Sequence, residues 1–163
     1  MNMKTKAFLA SVALLGSLLT GLLVPPETRA AGREVPPDAL RCLALAVYFE
    51  ARGEPQAGKE AVAHVVLNRA QHAGFPGGVC GVVQQGGEQR PCQFGWYCDG
   101  RSDDPTHARM WESSMEVARE VLTDKRDDPT GGALYFTRAR VTPPTWTQRL
   151  TRVAQIGGHI FYR

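Results

Sequence analysis

A chain of 163 residues with 43% hydrophobic residues can build one core, and a formal charge of only +3 leaves no basic field with which to hold nucleic acid. The arrangement of that charge matters more than its sum, because part of it sits in a leader.

Lys4 and Lys6 precede an uncharged apolar run from Ala7 to Val24, followed by "PPETRAA", which is the outline of a secretory signal. Thr28 and Ala30 are the small residues expected before a cut between Ala30 and Ala31. The run exceeds the roughly 7–15 residues usual for such a region, so an uncleaved anchor is the competing expectation. Removing residues 1–30 takes away Lys4, Lys6, Glu27 and Arg29 and lowers the formal charge from +3 to +1. The mature part is expected in the periplasm or cell envelope, without a stable membrane span once the signal is cut and without a nucleic-acid partner.

Export changes how the cysteines read, since Cys42, Cys80, Cys92 and Cys98 would then lie where disulfides persist. Four cysteines allow three pairings. Cys92 with Cys98 closes a short loop and is preferred, which leaves Cys42 with Cys80. No CxxC or HExxH spacing occurs, so neither a metal nor another cofactor is expected.

Residues 31–37, "AGREVPP", read as a tether into a domain over 38–163. Asp38 offers a helix N-cap. Leu40, Leu43, Ala44, Val47 and Ala51 then recur at helical spacing, and the helix should stop near Gly53. Pro55 suits the first position of a second helix with the stripe Ala61, Val62, Val65 and Val66. Residues 73–104 are rich in Gly, Pro and Cys and read as a long disulfide-tied loop. A third helix follows, with Pro105 as a plausible first residue and Trp111, Met115, Ala118 and Leu122 as its stripe. Beyond "DPTGG" the pattern turns to strands at 133–137, 152–156 and 159–162, the last two joined by Gly157 and Gly158 as a hairpin. The whole predicts an α+β fold, N-terminal helices followed by a small antiparallel sheet.

On a helical wheel Glu50 falls beside Leu43, at the edge of the buried stripe. A carboxyl there is partly desolvated, which raises its pKa and lets it hold a proton near neutral pH, as a general acid must. A solvated glutamate at a helix end is the plainer alternative. Glu54 stands before a proline, which steers it out of the first helix toward the start of the second, where carboxylates are common for structural reasons. His64, His72, His107 and His159 show no local metal spacing. No GxSxG is present, and cysteines tied in disulfides make poor nucleophiles.

"YFEARGEPQAGKEAVAHVVLNR", "FPGGVCGVV", "CQFGWYCDG", "DPTGGALYF" and "IGGHIFYR" occur in that order between Arg41 and Arg163. Together they resemble the SleB/CwlJ family of cell wall hydrolases, peptidoglycan lytic enzymes. The resemblance implies a lysozyme- or transglycosylase-like fold, peptidoglycan as partner, and the first glutamate of "EARGE", here Glu50, as catalytic acid/base. Gln93, Phe94, Trp96, Tyr135 and His159 stand in the matching motifs: Gln93, Tyr135 and His159 as hydrogen-bonding groups of a sugar groove, Phe94 and Trp96 as rings packing against sugar faces. The cysteine pair in "CQFGWYCDG" is not required of spore-lytic members, so spore cortex is not implied as the substrate.

The expected reaction is cleavage after N-acetylmuramic acid. A second catalytic carboxylate, which the usual glycosidases need, is not evident, and that favours a lytic transglycosylase over a muramidase. An N-acetylmuramoyl-L-alanine amidase, which would normally need zinc, and a glycan-binding module without catalysis are the alternatives.

Overall fold

The computed structural model describes residues 34–87 and 91–163; the expected signal and the first three residues of the tether lie outside them. Helix α1, Pro37–Ala51, opens on a proline whose missing N–H would be unsatisfied in any case and whose φ is already helical. Asp38 therefore does not cap the helix. It lies in the first turn, near the positive end of the dipole. Leu43, Ala44, Val47 and Ala51 are buried as the spacing predicts, with Leu40 at the margin. In α2, Gln56–Gln71, Pro55 is the residue before the helix rather than its first member, and Ala61, Val62, Val65 and Val66 are fully buried.

The stretch expected to be a long loop contains two short elements. Helix α3, Val79–Val83, buries Val79, Val82 and Val83, and a 3-10 turn spans Gly95–Cys98. Five residues are too few to display a helical period, and that is why the pattern hides α3. One disulfide joins Cys42 of α1 to Cys80 of α3, and the other, Cys92 to Cys98, closes a loop around the 3-10 turn.

Helix α4, Ala108–Leu122, begins three residues beyond Pro105 and buries Ser114, Val117, Ala118 and Val121. Trp111, Met115 and Leu122 are only partly buried beside that face. Both sets fit a helical period; the smaller side chains occupy the contact because they let α4 approach the other helices, and the bulkier ones flank it. The Ser114 hydroxyl is satisfied there by donating to the Met110 carbonyl at 2.9 Å.

No side chain of its own N-cap residue caps α4. Instead the Tyr48 hydroxyl of α1 accepts the backbone N–H groups of Thr106 and His107 at 3.1 and 3.2 Å. Tyr48→Phe leaves both donors without that acceptor and is expected to lower stability by about 1–3 kcal/mol. Urea unfolding measures it; an unchanged midpoint would mean that the segment does not depend on Tyr48.

The sheet holds β1, Tyr135–Arg138, β2, Arg152–Ile156, and β3, His159–Tyr162, in the order β1-β3-β2, all antiparallel. β1 starts two residues later than expected because Ala133 and the turn before it are held by side chains. Asp128 accepts the N–H of Thr130 at 2.8 Å, that of Gly132 at 2.9 Å and the Asn68 amide at 3.0 Å, which ties α2 to the entry of β1. Ala51, Ala61, Val62, Val65, Ala133 and Phe161 form a second core cluster. It fixes the C-terminal end of α1 against the sheet.

Candidate active site

Glu50 occupies that end of α1. It lines a cleft of about 740 Å³ together with Glu54, Arg138, Arg140, Gln155 and His159. It also lines a smaller cavity of about 320 Å³ with Arg69, Gln93, Phe136 and Trp146. Those four residues recur in a third cavity of about 460 Å³, which adds Tyr135, Arg149 and Leu150. Glu50 thus sits where two arms of a groove meet.

Burial is the largest influence on the Glu50 carboxyl and pushes its pKa above the ordinary range, while Arg138, the Trp96 indole and Arg69 pull it partly back. The Trp96 Nε1 is itself buried and meets hydrogen-bond geometry with no described protein atom, so its influence on Glu50 is that of a nearby dipole. A carboxyl whose protonated form is favoured by burial can give its proton to a bound oxygen, and two guanidinium groups are at hand to stabilise the carboxylate left behind.

Glu54 lines the same cleft but is engaged elsewhere. Its Oε2 accepts the Gly158 N–H at 2.7 Å, and its Oε1 lies 3.9 Å from His159 Nδ1. Burial lowers the His159 pKa in spite of the Glu54 charge, so near neutral pH the imidazole is uncharged and this contact is weak. A Cβ at Gly157 would collide with Glu54 Oε2, and one at Gly158 would come within 2.7 Å of Oε1. Glu54 therefore pins the tip of the β2–β3 hairpin into the cleft wall.

Of the five residues expected to bind sugar, Gln93, Tyr135 and His159 line the groove, the first two on one arm and His159 on the other. Phe94 presents no free face, and Trp96, half-buried, has one face covered. Phe94 is 2% exposed and belongs to the main core, and Trp96 stacks on Phe49 with ring centroids 4.6 Å apart. The expectation that Phe94 packs on sugars is corrected: it shapes the wall from the core, while Trp96 lies beside Glu50 with one face on Phe49. The accessible ring is Trp146, 44% exposed and beside Tyr135 at 5.8 Å. Nothing in "PPTWTQR" signals this, because the residue lies in a 3-10 turn, Thr145–Arg149, too short to display a period.

Arg69 was legible in principle, since it continues the buried face of α2 seven residues after Val62. It is 2% exposed, donates from Nε to the Leu134 carbonyl at 2.6 Å, and lies over the rings of Phe75, Phe94 and Tyr135 at 5.3 to 5.7 Å. Burial lowers its pKa to about 10, still far above neutrality, so the charge persists.

An α+β domain whose first helix carries a desolvated carboxyl to the centre of a groove has a lysozyme-like fold, here with a three-stranded sheet as one wall. The chain belongs to the cell wall hydrolase family, whose pattern matches residues 53–162. It is similar to the catalytic domain of the Bacillus cereus SleB protein, with a TM-score of 0.65 and 31% identity over 80% of this chain and 94% of that one. It is also similar to the catalytic domain of the germination-specific lytic transglycosylase SleB from Bacillus anthracis, with a TM-score of 0.64 and 31% identity over 80% and 98%. The spore cortex-lytic enzyme of Oceanobacillus iheyensis is 37% identical over 124 residues, which are 75% of this chain and 40% of that protein. That of Bacillus cereus is 34% identical over 143 residues, 84% of this chain and 49% of that protein. The chain thus spans less than half the length of these curated relatives.

Proposed function

We propose that the chain is exported to the cell envelope and cleaves the glycan strands of peptidoglycan after N-acetylmuramic acid, as a lytic transglycosylase with Glu50 as its single acid/base. The observation that carries this reading is the desolvated Glu50 carboxyl at the junction of the two groove arms. The similarity to the germination-specific lytic transglycosylase of Bacillus anthracis supports it.

In the proposed sequence Glu50 protonates the glycosidic oxygen, the C1–O bond breaks with its electron pair going to that oxygen, and positive charge develops at muramic C1. The Glu50 carboxylate then takes the proton of the muramic C6 hydroxyl as its oxygen bonds to C1. A 1,6-anhydro ring closes, Glu50 regains its proton, and no water is consumed. Glu54, bonded to the hairpin, keeps a positioning role, and Trp146 with Tyr135 and Gln93 lines the path of the strand.

Digestion of purified sacculi with the full chain tests the reading. Release of soluble disaccharide-peptide fragments is expected. Free stem peptides with intact glycan would identify an amidase instead, and binding without release would identify a glycan-binding module.

A further inference from the structure

The arm of the groove opposite Trp146 holds two arginines, Arg138 and Arg140, of which Arg138 also acts through its charge on Glu50 and His159. Arg138 ends β1, and Arg140 lies two residues further in the turn that the Val141 N–H closes on the Arg138 carbonyl at 3.4 Å. Both line the 740 Å³ cleft beside Glu50. The backbone there is fixed: Arg138 pairs with His159 across β1 and β3, and the Ala139 N–H donates to the Gly158 carbonyl at 2.7 Å, on the hairpin tip that Glu54 pins. Among the described residues neither guanidinium has a side-chain hydrogen bond or ion pair, whereas Arg41 and Arg126 each meet a carboxylate. Both are exposed to solvent in the open cleft.

Two unpaired guanidinium groups at a fixed edge of a glycan groove are a receptor for a carboxylate, which they bind in a planar, two-pronged geometry that sugar hydroxyls do not match. Resting on the reading that the groove takes peptidoglycan, we propose that Arg138 and Arg140 bind a carboxylate borne by the lactyl arm of muramic acid, so that the enzyme prefers strands carrying that charge over strands whose muramic acid is a neutral δ-lactam. The carboxylate has two sources, the stem peptide or the free lactyl group of a strand stripped of its peptides.

The test compares kcat/KM of the full chain on three soluble strand preparations: peptide-bearing, stripped with a free lactyl carboxylate, and rich in the δ-lactam. The wild type is expected to prefer one or both charged preparations. In the Arg138→Gln/Arg140→Gln variant the ratio of charged to lactam turnover should fall about tenfold, mainly through KM, in line with loss of a charge-assisted hydrogen bond. Because the Arg138 charge also acts on Glu50, Arg140→Gln is read separately and should lower the same ratio, with Arg140→Lys restoring part of it. Preference for peptide-bearing over stripped strands assigns the stem carboxylate, preference for stripped strands assigns the lactyl one, and equal use of the two, both above the lactam, means that either carboxylate serves. A wild type that prefers the lactam, or a folded double variant with an unchanged ratio, overturns the inference while leaving glycan cleavage intact. Failure of the wild type to cut any of the three strands overturns the functional reading and the inference with it.

Discussion

Glu50→Gln is expected to reduce turnover of sacculi by a factor of about 10²–10⁴, the usual contribution of a positioned general acid, while binding to the polymer persists. The same substitution should stabilise the folded protein at neutral pH. Burial raises the Glu50 pKa above its unfolded value, so the favourable protonated state is fully present below about pH 4 and is lost as pH rises through the folded pKa. Above the folded pKa the wild type therefore carries a desolvated charge that glutamine lacks. The thermal midpoint of Glu50→Gln should exceed that of the wild type there, and the difference should vanish in acid. Wild-type turnover should fall as pH rises through the same pKa, because the proton donor is lost. Thermal melts and rates across pH decide it. A variant of equal stability at every pH would mean that the carboxyl is not desolvated.

Gly157→Ala should be the most damaging change outside the reacting group. Gly157 has φ +56°, a conformation that costs a residue with a Cβ about 1–3 kcal/mol, and the added carbon would strike the Glu54 carboxylate. Expelling Glu54 frees the Gly158 N–H and releases the hairpin from the end of α1, so stability and turnover should fall together. The collision is separable from the backbone term. In a Glu54→Ala background the added methyl should cost less than in the wild type, and equal costs in the two backgrounds would show that Glu54 does not hold the hairpin.

These two residues also show how far the sequence is readable. Helical spacing places Glu50 at the margin of a stripe but leaves a solvated helix-end glutamate open, so that the resemblance in "EARGE" is what singles it out, whereas Gly157-Gly158 is readable because two glycines between β-prone runs admit few conformations. The bond joining Glu54 to Gly158 crosses 104 residues and leaves no local trace beyond the proline that turns Glu54 out of α1. The same holds for the face of α4: two stripes fit one period, and the choice between Trp111 and Val117 is made by the helices it packs on. Trp146 and the two unpaired arginines belong to the groove through tertiary placement alone, whereas the buried Arg69 could be suspected from its place on the apolar face of α2. The motif "CQFGWYCDG" brings Gln93 and Phe94 to the lining of the groove but does not tell the work of each ring, because burial and stacking decide which aromatic offers a free face.

The central claim is that one carboxyl, Glu50, both gives and retakes the proton, so that the muramic C6 hydroxyl replaces water as the attacking group. The chemistry at the new muramic end records this directly. Muropeptides released from sacculi by the wild type, separated and weighed by mass spectrometry, should end in 1,6-anhydromuramic acid, 18 Da lighter than the hydrated product by simple loss of water, and Glu50→Gln should release almost none. Reducing muramic ends from the wild type, or anhydro ends still formed at full rate by Glu50→Gln, would contradict it.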